Sequence, residues 1–311
     1  MLSSSRRDFL RNLATAGALA SVSSFARGAS NALGATPGAA PRGVTPELRI
    51  GYSAIAWNDQ DVQAINDLSA LGFPGIQLRA NAVTDFPDPH ALRDLLAQRH
   101  LTFVALSSGT APIDPAVRQK TIDDHVRNAK FLREAGGHYL QVVAASNKGR
   151  TFTADDFRYE GQLLTEVGKA VADMGLQFSL HNHMGTMAQT PQGMDAIFDA
   201  ADPKYLKLEL DTAHYLQGGG DPAAAIKQYE NRLLFLHLKD VRDAPTKSGY
   251  EFTELGQGRL DFPASFAALR SIGFKGWGII ELDGERVPPV HTPRESAEIS
   301  RQYLEKLGIH I

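Results

Sequence analysis

Four short apolar segments in the second half of the chain each end in a side chain that can bind a metal ion. In chain order these side chains are His181, Asp211, His237 and Glu281. Segments that are apolar on both faces are typical of parallel strands covered by helices. Neighbouring parallel strands lie about 4.8 Å apart, so four adjacent strand ends can converge on one ion. Because charged side chains at inward positions are costly unless they pair or bind a metal, the pattern predicts a metal site.

The chemistry of the ion follows from which ligands the chain offers. The sequence contains no cysteine, which excludes disulfides, thiol nucleophiles and thiolate-bound metals. Two imidazoles and two carboxylates suit a divalent ion of borderline softness, namely Mn, Co or Zn. We therefore expect one divalent ion as the cofactor.

The elements that must hold these residues repeat regularly along the chain. Eight candidate strands alternate with helical patterns, beginning near Leu48, Gly75, Leu101, His138, Leu176, Leu206, Leu233 and Trp277. Several helices begin with an Asp-Pro or Thr-Pro pair, in which the side chain caps the first turn and proline loses no hydrogen bond. These pairs start at positions 88, 114, 190, 221 and 292, and Thr153 and Asp261 are further candidate caps. Eight strand–helix units predict a single (β/α)8 TIM barrel over residues 47–311.

An open, doubly wound sheet is the alternative fold for the same alternation. It is disfavoured because no glycine-rich dinucleotide fingerprint follows the first strand. In a barrel the active site forms at the carboxyl ends of the strands, which is where the four candidate ligands lie.

The first 46 residues have the composition of targeting and linker sequence. Arg6 and Arg7 precede Phe9 and a mildly apolar stretch, which predicts a twin-arginine signal peptide over residues 1–28. Residues 29–46 are rich in Ala, Gly and Pro and are expected to be a disordered linker. We therefore expect export by the Tat machinery, with the enzyme reaching the periplasm already folded.

Charge and hydropathy limit the classes of partner. The whole chain carries a net charge of −3, and residues 29–311 carry 28 basic against 34 acidic residues. No basic stripe is visible, which disfavours nucleic acid as a partner. No run of about 20 apolar residues is present, so we expect no membrane association after signal cleavage. The sequence leaves homo-oligomerisation open.

Six short segments together resemble the xylose isomerase-like TIM barrels, also called the sugar phosphate isomerase/epimerase family. The segments are GYSAIAWND at 51–59, LHNHMGT at 180–186, LDTAH at 210–214, LHLKD at 236–240, GQGRLDF at 256–262 and IELD at 280–283. The first two are most similar to inosose (2-keto-myo-inositol) dehydratases. The resemblance implies a metal bound by His181, Asp211, His237 and Glu281, and a small-molecule carbohydrate as substrate.

The reaction implied by the resemblance is proton abstraction next to a carbonyl of a keto-sugar or keto-polyol. Glu281 is the candidate base, and His183 and Lys239 are candidate acids. Epimerases of the family usually carry Glu on the fifth strand, where this chain has His181, and often on the second, where it has Gln77. We therefore favour a dehydratase or β-eliminating lyase over an isomerase or epimerase. The candidate substrate-binding residues are Trp57, Gln77, Gln141, His214 and Arg259.

Two other classes of function are less consistent with the sequence. An endonuclease IV-like nuclease needs further metal-binding His on the second and third strands, where this chain has Gln77 and Ser107. A non-catalytic periplasmic sugar-binding barrel is disfavoured by the intact set of ligands. In the periplasm, a partner sugar dehydrogenase that supplies an oxidised sugar would suit the predicted reaction.

Overall fold

A computed structural model of the chain describes residues 47–284 and 290–311. The predicted signal peptide and linker lie outside the described residues. These residues contain ten strands: β1 Glu47–Ser53, β2 Gly75–Arg79, β3 Thr102–Thr110, β4 Tyr139–Val143, β5 Gln177–His181, β6 Lys207–Asp211, β7 Leu233–Leu238, β8 Asp240–Asp243, β9 Tyr250–Thr253 and β10 Lys275–Ile280, all within 47–284. The helices are α1 Asp61–Ala70, α2 Ala82–Asp85, α3 Pro89–Gln98, α4 Arg118–Glu134, α5 Ala154–Ala172, α6 Pro191–Ala200, α7 Thr212–Gln217, α8 Pro222–Gln228, α9 Phe262–Ser271 and α10 Pro293–Lys306.

Eight of the strands form one closed parallel barrel in the order β1-β10-β7-β6-β5-β4-β3-β2. The eightfold barrel predicted from the sequence is therefore confirmed, and the doubly wound alternative is wrong. Strands β8 and β9 form a separate antiparallel pair between β7 and α9, so the eighth barrel strand is β10. This hairpin was not predicted.

The helix starts follow the predicted capping chemistry. Asp88, Thr190, Asp221 and Thr292 each accept a hydrogen bond from a backbone N–H of the helix that follows. Thr153 and Asp261 cap α5 and α9, while Asp114 caps a short 3-10 turn that leads into α4. Each cap satisfies an N–H that the helix itself leaves free, so the chain enters each helix at a defined residue.

Side chains alternate across each barrel strand, and this separates an outer core from an inner one. On β6, Leu208 and Leu210 pack with the helix-facing core, so Glu209 and Asp211 face the barrel interior. A second apolar cluster includes Val104, Phe235, Trp277 and Ile279. The pairing of Ile279 with His237 places this cluster on the inward face, below the strand ends. An apolar plug thus fills the barrel beneath a polar upper layer.

Gly75 shows how tightly the plug is packed. A Cβ atom at Gly75 would lie 2.5 Å from the ring of Trp277 and 2.7 Å from Val104. No helix among the described residues is long and apolar enough to cross a membrane.

Candidate metal centre

The four predicted ligands meet at the carboxyl end of the barrel. His181 and Asp211 are the last residues of β5 and β6, His237 lies near the end of β7, and Glu281 directly follows β10. One donor atom from each of the four lies within 4.8 Å of the others, and all four residues are buried. The register pairs Asp211 with His237, which brings the middle two ligands side by side.

The donor atoms fit a divalent cation. Nδ1 of His237 lies 3.1 Å from Oε2 of Glu281 and 3.6 Å from Oδ2 of Asp211. Neither this Nδ1 nor Asp211 Oδ2 makes a well-formed hydrogen bond within the described chain, although both are buried; their close contacts are ion pairs, with Glu281 for Nδ1 and with Lys239 for Oδ2. Buried polar atoms normally have hydrogen-bond partners, so donor atoms that lack them and lie close together among charged groups suit a bound cation. The carboxylates and imidazoles are a suitable donor set for Mn, Co or Zn.

Lys239 neutralises the carboxylates around this centre. Its side chain is fully buried, and Nζ lies 2.6 Å from Glu281 Oε2, 3.2 Å from Asp211 Oδ2 and 3.0 Å from Asp283 Oδ1. Nζ is also 3.3 Å from Nε2 of His214. Lys239 therefore pairs with Glu281 as well as with Asp211 and Asp283.

Asp240, which follows Lys239 in the chain, has a different set of partners. Its carboxylate accepts backbone N–H groups of Val241, Gly256, Gly258 and Leu260. It thereby ties the β8 start to the loop before α9, which holds Arg259.

The two histidines of the predicted ligand set have pKa values shifted in opposite directions. Burial, reinforced by the charge of His237, lowers the pKa of His181 well below its usual value, so this imidazole is neutral. Burial also lowers the pKa of His237, but the charges of Glu209 and Glu281 outweigh it and the pKa is raised well above its usual value. Without a metal, His237 and Lys239 therefore carry the positive charge that balances the buried carboxylates.

The carboxylates and the lysine keep their charges despite burial. Burial acts to raise the pKa of Glu281, but the charges of His237 and Lys239 hold it well below its usual value. For Asp211, burial likewise opposes ionisation, but Lys239 and His214 hold its pKa below the usual value. Burial acts to lower the pKa of Lys239, yet Asp211, Asp283 and Glu281 raise it well above its usual value.

A surrounding layer of hydrogen bonds orients the ligands. Oδ1 of Asp211 accepts the backbone N–H of His214 at 2.8 Å, and the Asn182 side chain bonds both backbone groups of Asp211. Ser53 Oγ donates to Oε1 of Glu281 at 3.0 Å. Gln77 Oε1 lies 2.9 Å from Nε2 of His237. Partners of this kind fix the orientation of a metal ligand.

His183 lies beside the centre and is half-buried. Its Nδ1 lies 2.7 Å from the carbonyl oxygen of Met184, and its ring centroid is 3.9 Å from that of His214. Donation from Nδ1 to this carbonyl leaves Nε2 free. His181, His183 and His214 also have nitrogen atoms within 4.8 Å of one another. The proximity of the Lys239 ammonium to His214 makes this second group a poorer place for a cation than the group with two carboxylates.

The remaining predicted residues occupy different surroundings. Gln141 is buried on β4, and its register pairs it with Ser179 on the face that also carries His181. Trp57 is buried outside this group, where its indole N–H donates to Asp67 at 2.9 Å and its ring packs against Tyr52. Arg259 contacts Asp243 and Gln217, with its side chain 42% exposed. Gln77 and His214 thus contact residues of the centre, and Gln141 lies on the same face of the barrel wall as His181, while the observed contacts of Trp57 and Arg259 are packing and surface pairing.

Three residues of the site were not named as site residues from the sequence. Glu209 lies on β6 and contacts His237; Ser53 holds Glu281; Asp283 holds Lys239. Glu209 was detectable, since it lies two residues before Asp211 and so faces the same side of the strand. Ser53 gave no such signal, because its contact depends on closure between the first and last barrel strands.

Comparison with known proteins agrees with the fold. The family model of the xylose isomerase-like TIM barrels matches residues 65–307, and the chain belongs to this family. Among curated relatives, inosose dehydratase of Lacticaseibacillus casei is 26% identical over 298 residues, covering 83% of this chain and 96% of the relative. Inosose dehydratase of Geobacillus thermodenitrificans is 27% identical, covering 84% and 97%.

Solved structures show the same fold at lower identity. The IOLI protein with a bound zinc atom superposes with a TM-score of 0.72 at 16% identity, covering 85% of this chain and 99% of that one. L-ribulose 3-epimerase gives a TM-score of 0.70 at 20% identity, covering 84% and 94%. The chain is therefore a TIM barrel of an enzyme family, and it is similar to dehydratases and epimerases that act on carbohydrates.

Proposed function

We propose that the protein is a divalent-metal-dependent enzyme that removes a proton next to the carbonyl of a keto-sugar or keto-polyol. The observation that carries the proposal is the convergence of His181, Asp211, His237 and Glu281 within 4.8 Å. A bound cation there would polarise the substrate carbonyl and favour loss of the neighbouring proton. The similarity to inosose dehydratases supports a cyclic keto-polyol or a related keto-sugar as the substrate class.

Glu281 is the proposed base. Its Oε1 is held by Ser53 and its Oε2 by Lys239, so the carboxylate is fixed in one orientation at the rim. A positioned base within hydrogen-bond reach of the carbon-bound proton contributes about 10²- to 10⁴-fold to a rate. With a cation bound, one oxygen of Glu281 would coordinate it and the other would be available to accept the substrate proton.

Elimination is favoured over epimerisation because the centre offers a carboxylate base, Glu281, at the end of β10 but no second carboxylate base at the end of β5. Epimerisation needs a second base to return a proton on the opposite face of the carbon. The β5 end offers the neutral imidazole of His181 rather than a carboxylate. His183 directs Nδ1 at the Met184 carbonyl, so Nε2 carries a proton only in the imidazolium form, and in that form it can protonate a departing β-oxygen.

Lys239 is proposed to act through its charge. Three carboxylates hold its pKa well above the usual value, so the ammonium retains its proton at neutral pH. A retained charge stabilises an oxyanion that develops on the substrate without transferring a proton.

Incubation of the metal-loaded protein in D2O with keto-inositols, 3-keto-glycosides and ordinary ketoses tests the proposal by NMR. We expect one class to lose a C–H signal with release of water or an aglycone. Exchange with return of the substrate in epimeric form would favour the epimerase alternative. Binding with no exchange in any class would contradict an enzymatic role and favour a sugar-binding barrel.

A periplasmic location is proposed from the N-terminal sequence alone, where Arg6 and Arg7 precede a mildly apolar stretch. Replacing both arginines by lysine should retain the protein in the cytoplasmic fraction of a cell with an active Tat pathway. Unchanged export of this double variant would contradict the proposed route.

A further inference from the structure

Glu209 is a carboxylate at the bottom of the candidate metal centre, inside the barrel. It is fully buried, and β-sheet pairing places it opposite His181 on one side and Phe235 on the other. Its Oε1 contacts Nε2 of His237, and its Oε2 lies 3.7 Å from Nδ1 of His181. A buried carboxylate costs several kcal/mol unless it is paired. Its pairing here is with the two histidines that the proposed function assigns to the metal.

The two ring nitrogens of His237 face different groups. Nε2 faces two oxygen acceptors, one from Gln77 at 2.9 Å and one from Glu209. Nδ1 faces Asp211 and Glu281 at the centre. A neutral imidazole carries one N–H, and the hydrogen bond made by one nitrogen decides which nitrogen is left to bind a metal. Acceptors on the Nε2 side therefore keep the proton there and leave the Nδ1 lone pair directed at the cation.

We propose that Glu209 is a positioning residue of the metal centre, which fixes the tautomer and ring orientation of His237 from inside the barrel. Gln77, on β2, is the second acceptor for Nε2 of His237 and restricts the ring to the same orientation. The inference rests on the proposed function only in requiring that a cation occupies the centre.

Replacement of Glu209 by Leu and by Gln distinguishes positioning from a purely structural role. Leu removes the acceptor and the charge at similar volume, while Gln keeps an acceptor oxygen without the charge. Leu removes one partner of the buried pair with His237 and leaves the other in place, so metal-free E209L should melt below the wild type, and the metal readouts are taken on protein shown to be folded. Loss of a carboxylate partner of a metal-bound histidine typically weakens metal affinity by about 10- to 100-fold.

The measurements are the dissociation constant for Zn or Mn, by competition with a chelating dye, and the visible absorption spectrum of the Co-loaded protein. We expect E209L to bind about 10- to 100-fold more weakly, with a shifted Co spectrum, and E209Q to fall between it and the wild type. Glu160 provides a matched control, because it is another fully buried carboxylate whose Oε1 accepts the N–H of Ala145. E160Q should keep wild-type affinity and spectrum.

Wild-type affinity and an unchanged Co spectrum in E209L would overturn this inference while leaving the proposed function intact. If E209L does not fold, E209Q decides the question by the same two readouts, and values equal to the wild type overturn the inference. A wild-type protein that binds none of these cations would overturn the proposed function, and the inference with it.

Discussion

Replacement of Lys239 by Met tests whether the buried charges are organised around a cation. The lysine ammonium contacts Asp211, Glu281 and Asp283, and its side chain has no exposure to solvent. Met is similar in length and apolar, so the change removes the charge without leaving a large cavity. In the metal-free protein, K239M therefore leaves carboxylates buried together with only His237 to balance them.

Breaking a buried ion pair from one side costs about 3–5 kcal/mol, because the remaining charge stays buried without compensation. For a domain of this size, 1 kcal/mol corresponds to roughly 2–4 °C in Tm, so we expect metal-free K239M to melt about 6–20 °C below the wild type. A divalent cation replaces the lost positive charge. Because the lysine ammonium no longer repels the cation, the rise in Tm on adding metal should be larger in K239M than in the wild type.

The assay is thermal unfolding followed by circular dichroism, with EDTA and then with Mn or Zn. Lys275 provides a matched control, because it pairs with Glu47 at 3.0 Å while its side chain stays 70% exposed. An exposed pair of this kind contributes about 0–1 kcal/mol, so K275M should melt close to the wild type with or without metal. Equal Tm values for metal-free K239M and wild type, or an equal response to metal, would refute the reasoning.

Three further changes have expected outcomes that single measurements check. H183Q should reduce kcat about 10²- to 10⁴-fold with an unchanged metal dissociation constant if His183 supplies a proton; a weakened metal affinity in calorimetry would instead make it a ligand. Burial raises the pKa of Glu160 from 4.5 to about 8, so the folded protein holds a proton that the unfolded chain has lost between these values. The free energy of unfolding should therefore fall by up to about 1.4 kcal/mol per pH unit as pH rises through this interval, and urea titrations of E160Q should lack that slope. G75A should cost about 1–3 kcal/mol in the same titrations, because its Cβ would meet Trp277; wild-type stability would contradict the tight inner packing.

Much of the fold was predictable because its signals are local. An Asp-Pro or Thr-Pro pair marks a helix start through the capping side chain and the fixed φ of proline, and both act within three residues of chain. The barrel strands are equally easy to recognise as short apolar segments, because both faces of a parallel barrel strand are covered. The β8–β9 hairpin escaped prediction because its strands are four residues each and themselves contain charged side chains.

Those residues of the candidate site whose position depends on strand direction could be predicted from the sequence. His181 and Asp211 end their strands, and in a parallel barrel all strand ends meet at one rim. Partner choices within the site depend on three-dimensional packing instead. Lys239 is adjacent to Asp240 in sequence, yet its Nζ pairs with Glu281, while Asp240 accepts backbone N–H groups of the following loop.

Glu209 shows where sequence reasoning stopped short. The alternation of Leu208 and Leu210 with Glu209 and Asp211 already placed both acidic residues on one face of the strand. The sequence did not show why a carboxylate is tolerated deep in the barrel. That reason is the meeting of His181 and His237 from two other strands.

The most direct test is a crystal structure of the metal-loaded protein with data collected at the absorption edge of the bound metal. We expect a single strong anomalous peak at the carboxyl end of the barrel, with one atom each from His181, Asp211, His237 and Glu281 at about 2.0–2.2 Å, and with Nδ1 as the ligand atom of His237. No anomalous peak among these four side chains, or a peak bound by His183 and His214 instead, would contradict the account.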